Sequence, residues 1–182
     1  MPRALEKSRL PFDESDMKAI VAVDQNWGIG KEGKLLAHIP EDLKYFKEKT
    51  LGHVVVMGRR TLCSLPGGKP LPGRDTVVLS RDEGFAPQGV TVVHSARELR
   101  ELLREKHPGR EVFLCGGGEV YREFLPECRE VLVTKIGREF AADTFFPDLD
   151  AQSGWEGEEG ELRFHGEIPF RFCVYRRTGN AE

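Results

Sequence analysis

Ile39-Pro40-Glu41-Asp42-Leu43-Lys44-Tyr45-Phe46-Lys47 is the stretch from which the rest of the chain is read, because helix chemistry and a reactive group coincide in it. Pro40 suits a first helical turn: its missing N–H would have no intrahelical partner there, and its fixed φ is already helical. A helix is therefore expected to start here. At about 100° per residue, Ile39, Leu43 and Phe46 share one stripe, while Glu41 and Lys44 project to the far side. Asp42 lies about 60° from the centre of the stripe and so leans toward the apolar side. A carboxylate there is driven neutral by desolvation unless the positive end of the helix dipole and a charged or hydrogen-bonding ligand hold it ionised. Ionised, it can read a ligand that offers two parallel N–H donors. Glu41 and Asp42 equally suit first-turn acids with no further role, so this segment alone leaves both readings open.

Upstream, Ala19-Ile20-Val21-Ala22-Val23 is the near-continuous apolar run of a strand buried on both faces, preceded by Lys18. Between that strand and the helix, Asp24 to His38 carries Gly28, Gly30 and Gly33 with no period, and a loop of this length in a compact domain is usually functional or disordered. Two motif echoes lie in it. Gly28 to Gly33 fits G-x-G-x-x-G, but that pattern must open a helix and Pro40 comes several residues too late. Gly28 to Lys34 fits G-x-x-x-x-G-K, yet Leu35 stands where a P-loop nucleotide-binding protein needs Ser or Thr for its magnesium.

Downstream, His53 to Met57 is a second β-branched run, and Gly58-Arg59-Arg60-Thr61 at its end suits an anion, because a strand turning into a helix points N–H groups outward. Leu65 to Arg74 is too rich in Pro and Gly for regular structure and reads as a surface loop. Thr76 to Leu79, closed by Ser80-Arg81, and Gly89 to Val93 are further strands. Ser95 and Glu98 form a capping box for an amphipathic helix through Leu99, Leu102 and Leu103, stopped at His107-Pro108-Gly109. Glu111 to Cys115 is the next buried strand, and Gly116-Gly117-Gly118 leads into a short helix over Glu119 to Leu125. That triple glycine is either a phosphate-accessible turn or simply a tight one. Glu130 to Ile136 is another strand. Leu162 to His165 and Phe170 to Tyr175 close the sheet around a turn at Gly166 to Pro169, and Trp155 with the acidic run Glu156 to Glu161 reads as a solvated loop. The sum is an α/β domain over residues 17–182 with one mixed sheet of roughly eight strands. Residues 1–16, charged and without period, are expected to be a flexible extension.

Composition narrows the function. With 27 basic and 30 acidic residues among 182, the net charge of -3 gives no electrostatic case for nucleic acid or an anionic membrane. No apolar run approaches the ~20 residues of a membrane span, so a cytoplasmic protein is expected. Cys63, Cys115, Cys128 and Cys173 are scattered, and the five histidines have no i,i+4 pair, which supports neither a disulfide nor a metal site.

Taken together, Trp27-Gly-Ile-Gly30, Ile39 to Phe46, Met57-Gly-Arg-Arg-Thr61, Leu71-Pro-Gly-Arg74, Gly116-Gly-Gly-Glu-Val-Tyr121 and Asp143-Thr-Phe-Phe-Pro147 closely resemble the dihydrofolate reductase family, in its order and spacing, from about Met17 to the C-terminus. The resemblance implies a single domain whose mixed sheet is flanked by four helices, and NADPH-dependent reduction of 7,8-dihydrofolate to tetrahydrofolate. By it, Asp42 is the catalytic pocket carboxylate that accepts from the paired nitrogens of the pterin. Ala22 and Cys115 match strand-end positions whose carbonyls line the pocket, Thr134 a hydroxyl that supports the carboxylate, and Leu43, Phe46 and Leu65 the walls. Arg74 matches the arginine for the substrate's glutamate carboxylate.

On the cofactor side, the resemblance assigns Gly116, Gly117 and the following turn (Gly118, Glu119, Val120) to the pyrophosphate, places Tyr121 near the nicotinamide with Ile29 and Gly30 in the lid that closes on it, and counts Ala22 and Cys115 among the cofactor-binding residues. Gly58, Arg59, Arg60, Thr61, Leu79, Ser80 and Arg81 match the rest of the NADPH surface, with Arg59 and Arg81 at the 2′-phosphate. The family also has a cis peptide between the first two glycines, and a lid corresponding to Asp24 to His38. The chain departs from the family's frequent residues at Ala37 (Trp), Ala142 (Gly) and His94 (Lys). Three other readings stand beside this one: a pyrimidine reductase of riboflavin synthesis with the same fold, a P-loop hydrolase or kinase, and a non-catalytic cofactor binder. No obligatory protein partner is expected.

Overall fold

The computed structural model describes residues 17–178, so the expectation for residues 1–16 lies outside the described residues. At the centre is β1 (Met17–Val23), whose MKAIVAV run is almost wholly buried because both faces of the sheet are packed over at that point. It pairs in parallel with β6 (Val112–Leu114) on one side and β7 (Glu130–Ile136) on the other. The parallel series continues outward through β3 (Val54–Gly58), β4 (Asp75–Leu79) and β5 (Thr91–Val93). Beyond β7 the sheet turns antiparallel with β11 (Ile168–Arg177). Two short strands, β9 (Trp155–Glu159) and β10 (Arg163–His165), share the outer edge of β11 in succession. Nine strands thus occupy eight positions, which agrees with the expected mixed sheet.

Alternation along the parallel strands builds a core on each face. Ile20, Val55, Val78, Phe113 and Leu132 face α1 (Pro40–Thr50) and α2 (Arg59–Ser64), packing with Tyr45, Phe46 and Leu62. On the opposite face Val21, Val54, Val77, Leu114 and Val133 meet Leu99 and Leu103 of α3 (Ala96–Lys106) and Val120 and Phe124 of α4 (Gly118–Phe124). The Ser95 hydroxyl caps α3 by accepting from Glu98 N at 3.1 Å, while Glu98 reaches back to the N–H of His94 and not to that of Ser95.

Three local expectations are corrected. The stretch from Asp24 to His38 is not without regular structure: β2 (Gly28–Gly30) pairs with β8 (Thr144–Phe145), and Lys31 bridges Lys34 around Glu32 and Gly33, both at positive φ. Trp155 to Glu159 is a strand, not a solvated loop; its residues oppose Cys173 to Arg177, and an acidic exposed face suits an outer strand. The last turn is tighter than expected, since His165 already pairs with Ile168.

A pair of neighbouring strands then fixes where a ligand goes. From β1 the chain runs through α1 to β3; from β6, beside β1, it runs through α4 to β7 on β1's other flank. Where adjacent parallel strands lead in opposite directions, a crevice opens outside their carboxyl ends.

Candidate active site

That crevice is a cleft of about 1810 Å³, and every residue assigned above to the cofactor lines it. Its floor is the carboxyl ends of β1, β3, β4 and β6. Gly58 N donates to Gly116 O at 2.8 Å, which draws the end of β3 against the glycine turn. Gly116–Gly117 is cis, as in the family pattern, and Gly116 has a φ of 112°, open in practice only to glycine. At Gly118 a Cβ would stand 2.9 Å from Thr144 Cγ2, so the turn passes too close to β8 for a side chain. Tyr121 is buried with its hydroxyl donating to Ile20 O at 2.7 Å, which fixes the ring at the inner end of the cleft. Arg59, Arg60 and Arg81 bring cations to its outer rim, in keeping with a dinucleotide bearing phosphates.

The carboxylate half is built by α1. Ile39 is the buried N-cap, Pro40 is at the first turn, and Glu41 and Lys44 are exposed, while Asp42 is turned inward. Asp42 Oδ1 accepts from Thr134 Oγ1 at 2.6 Å. Thr134 is buried and stands directly opposite Ala22 in the β1–β7 pairing, so the carboxylate hangs over the ends of both strands. Burial raises the Asp42 carboxyl above its ordinary range, and the Thr134 hydrogen bond opposes that rise. Behind it Tyr45 stacks on Phe172 with ring centroids 4.1 Å apart. Cys115 also lines the cleft, but burial pushes its thiol up to about 12, so it is no thiolate nucleophile.

The far end of the same helix holds a cation. Phe46 and Leu65 are half-buried against the core beneath, and Leu43 is left 45 % exposed at the edge. Thr50 Oγ1 donates to Phe46 O at 2.8 Å and accepts from Arg74 Nη1 at 3.2 Å. Pro72 O takes Arg74 Nε and Nη2 at 3.0 and 2.8 Å, which orients the guanidinium plane. Asp42 and Thr50 are eight residues apart, about 12 Å along the axis. The inward acid and the oriented arginine thus lie toward opposite ends of α1, and neither lines the glycine-turn cleft itself.

Three acids that received no site role from the sequence belong to this arrangement, Asp143 among them although it opens one of the quoted motifs. Asp24 is buried and accepts from the backbone N–H of Asn26, Gly28 and Phe140 at 2.9, 2.8 and 2.9 Å, tying the start of the 24–38 segment to the 137–142 segment. Asp143 accepts from Glu32 N at 2.9 Å, and both line the cleft. Asp82 pairs with Arg59 at 3.0 Å. Asp24 directly after a buried strand and before a tight turn was the available signal for the first of these. The G-x-x-x-x-G-K echo is β2 and a hairpin that opens no helix, so it is not a phosphate loop.

A mixed sheet, a glycine-turn cleft with cations at its rim, and an inward acid and an arginine along α1 are the features of a nicotinamide-dinucleotide-dependent reductase. The dihydrofolate reductase family model matches residues 16–177. Dihydrofolate reductase of Bacillus subtilis is 34% identical over 166 residues, covering 90% of this chain and 95% of that protein. The Staphylococcus aureus enzyme is 38% identical over 159 residues, covering 86% and 94%. The solved dihydrofolate reductase of Enterococcus faecalis, in complex with NADP(H) and RAB-propyl, superposes with a TM-score of 0.79 at 36% identity, over 91% of this chain and 98% of that one. The chain belongs to the dihydrofolate reductase family, whose members are NADPH-dependent enzymes that reduce 7,8-dihydrofolate to 5,6,7,8-tetrahydrofolate.

Proposed function

We propose that Asp42 binds and orients the pterin of 7,8-dihydrofolate while Arg74 takes its glutamate carboxylate, in a reduction for which NADPH, bound in the glycine-turn cleft, supplies the hydride. The observation that carries this is Asp42 itself: an inward acid whose Oδ1 is committed to Thr134 and whose Oδ2 makes no hydrogen bond among the described residues. Ionised, it accepts from the paired nitrogens of the ring and places a negative charge beside the atom that gains a proton. Asp42 holds the ring from one edge and does not reach the accepting nitrogen, so a water delivers the proton and the carboxylate stabilises the protonated pterin. Leu43, Phe46 and Leu65 exclude other water from the ring, and the lid around Ile29 and Gly30 closes over the nicotinamide end. A pyrimidine reductase of the same fold has no use for an acid at this position, and the family match does not favour it.

The residues present fit NADPH. Gly116 to Gly118 leave no side chain between backbone and pyrophosphate, and Arg59 and Arg81, both lining the cleft, suit the phosphate that distinguishes NADPH from NADH. All four cysteines are free, in keeping with a reducing compartment, and we infer that the enzyme works in the cytoplasm. The test is Asp42→Asn, followed by nicotinamide absorbance with dihydrofolate and by direct NADPH titration. Turnover at neutral pH should fall at least about a hundredfold with an altered pH profile, while NADPH still binds. Near-normal turnover with an unchanged profile would sink the assignment.

A further inference from the structure

We propose that Trp27 and Lys135 are positioning residues for hydride transfer: together they pin the root of the lid to the main sheet, and so set how closely the lid seats over the nicotinamide end. This rests on the reading of residues 24–38 as a lid. β2 and β8 form a two-stranded sheet that, among the described residues, shares no strand pairing with the nine-stranded one. A two-stranded ribbon has little stability of its own, so its place is decided where its strands are rooted. Both roots are aromatic. Trp27 directly precedes β2 and Phe146 directly follows β8; Trp27 O accepts from Phe146 N at 2.8 Å, and the two rings stack with centroids 6.1 Å apart. Asp24 O accepts from Trp27 N at 3.0 Å and fixes the turn that delivers the ring. Toward the other end of the ribbon Ile29, Gly30 and Thr144 line the cleft, and neither Trp27 nor Lys135 is among the residues that do.

The grip on Trp27 comes from the main sheet. Its ring is 6 % exposed and packs edge-on against Tyr175 of β11, with centroids 5.8 Å apart. Lys135 Nζ stands 5.4 Å from the centroid of each of these rings, within range of a cation–π attraction that is largest for tryptophan and stronger where water is excluded. The ammonium is held in place by Asp150 at 2.8 Å and by Glu159 of β9 at 3.2 Å, and the Tyr175 hydroxyl donates to the other oxygen of Asp150 at 2.7 Å. Burial pulls the Lys135 ammonium down, but Asp150, Tyr175 and Glu159 carry it above its ordinary range, so the cation is permanent. Trp27 also keeps a φ of 62°, a left-handed backbone that a bulky side chain rarely adopts, so the contacts of its ring hold the chain in a conformation it would otherwise leave. Lys135 follows Thr134 on β7, and successive residues of a strand face opposite sides. Thr134 bonds Asp42 on one face while Lys135 grips Trp27 on the other, so one strand end positions both the pocket acid and the lid.

Hydride transfer needs the two rings in close register, so a loosely seated lid should slow that step more than it weakens binding. The experiment uses the purified full chain, with single-turnover hydride transfer followed by nicotinamide absorbance after rapid mixing, and dissociation constants measured for NADPH and for dihydrofolate. Lys135→Met keeps the apolar stem and removes the cation; Trp27→Leu keeps an apolar filler and removes the π face. Each should slow hydride transfer about tenfold, with both dissociation constants within about threefold of the parent's. The double variant should be no slower than the slower single one, because the two residues act as a unit. Lys135→Arg, which restores a cation over both rings, should recover most of the rate. The Lys135 variants decide the matter even where Trp27→Leu does not fold. A parental hydride-transfer rate in Lys135→Met, whatever its melting temperature, overturns the proposal, and so does multiplicative slowing in the double variant. Gly28→Ala, which crowds β2 against Ala142, acts on the lid directly. Slowing by Gly28→Ala without slowing by Lys135→Met leaves the lid and removes the pin, whereas a parental rate in Gly28→Ala removes the lid reading and the proposal with it.

Discussion

Thr134→Val tests how the pocket acid is tuned. The substitution keeps the shape of a buried residue and removes one hydroxyl, the donor 2.6 Å from Asp42 Oδ1. A hydrogen bond to a charged group contributes about 1.5–3 kcal/mol, and this one favours the ionised carboxylate. Its loss should shift Asp42's protonation equilibrium toward the neutral acid by roughly ten- to a hundredfold, since about 1.4 kcal/mol is tenfold. Burial already pushes the carboxyl upward, and the hydroxyl opposes it, so the two effects then act without a counterweight. The assay is the pH profile of kcat/KM, followed by nicotinamide absorbance, which reports the free enzyme's essential groups. The midpoint belonging to Asp42 should move to higher pH by about one unit or more in Thr134→Val, and stay in place in Thr134→Ser, which restores the donor. A valine variant whose midpoint is unmoved, or moves to lower pH, would refute the assignment of Thr134 as the group that holds the carboxylate ionised.

Arg74→Leu should raise KM for dihydrofolate about ten- to a hundredfold and leave the NADPH dissociation constant unchanged; an equal loss on both ligands would count against a role confined to the substrate. At Gly28 a Cβ would stand 2.4 Å from Ala142 Cβ, a severe clash, and 3.0 and 3.1 Å from Asp24's carboxylate oxygens. Gly28→Ala should therefore unseat the lid by about 1–3 kcal/mol and slow turnover, and adding Ala142→Gly should recover part of it; no recovery in the double variant would show that the clash lies elsewhere. Asp42→Asn should be more heat-stable than the parent at pH 7 and no more stable near pH 4, in thermal unfolding without ligands. The sign comes from the raised native carboxyl: between the unfolded and native values the folded state binds the extra proton, so parental stability falls as pH rises, and the amide removes that loss. An advantage equal at both pH values would contradict it.

How much of this was legible in the sequence depends on the range of the interaction concerned. Val21, Val54 and Val133 announce buried strands because both faces of a parallel sheet are apolar, and Pro40 announces a helix start, since both signals are local. The inward lean of Asp42 followed from the same helical wheel. Its partner came only through the family resemblance: Thr134 lies 92 residues away, no local pattern points to it, and the β1–β7 register is what places its hydroxyl under the helix. Trp155 to Glu159 misled because its exposed acidic residues carry no hydrophobic alternation; the strand is set by pairing with β11, whose inner face is already buried by β7. Glycines between residues 28 and 33 suggested two phosphate loops where the chain needed close approach at β2 and a positive-φ turn at Gly33.

The contrast between two helices of equal length ties the fold to its chemistry. α3 buries Leu99 and Leu103 fully against the sheet, whereas α1 buries only Thr50 at its last residue and the N-cap Ile39 before its first. What α1 turns toward the sheet is instead Asp42, Tyr45 and Phe46, each only partly covered, with Leu43 at the open edge. A helix that served stability alone would fill this face with Leu, as α3 does. The uncovered face is the one to which the proposed function assigns the substrate, and a ligand lying along it would complete the packing that the protein itself omits. Burial that raises the Asp42 carboxyl and the incomplete burial of its neighbours are thus two consequences of one arrangement: α1 is tied to the sheet at Thr134 near its start and to Arg74 through Thr50 at its end, while the residues between are only partly covered.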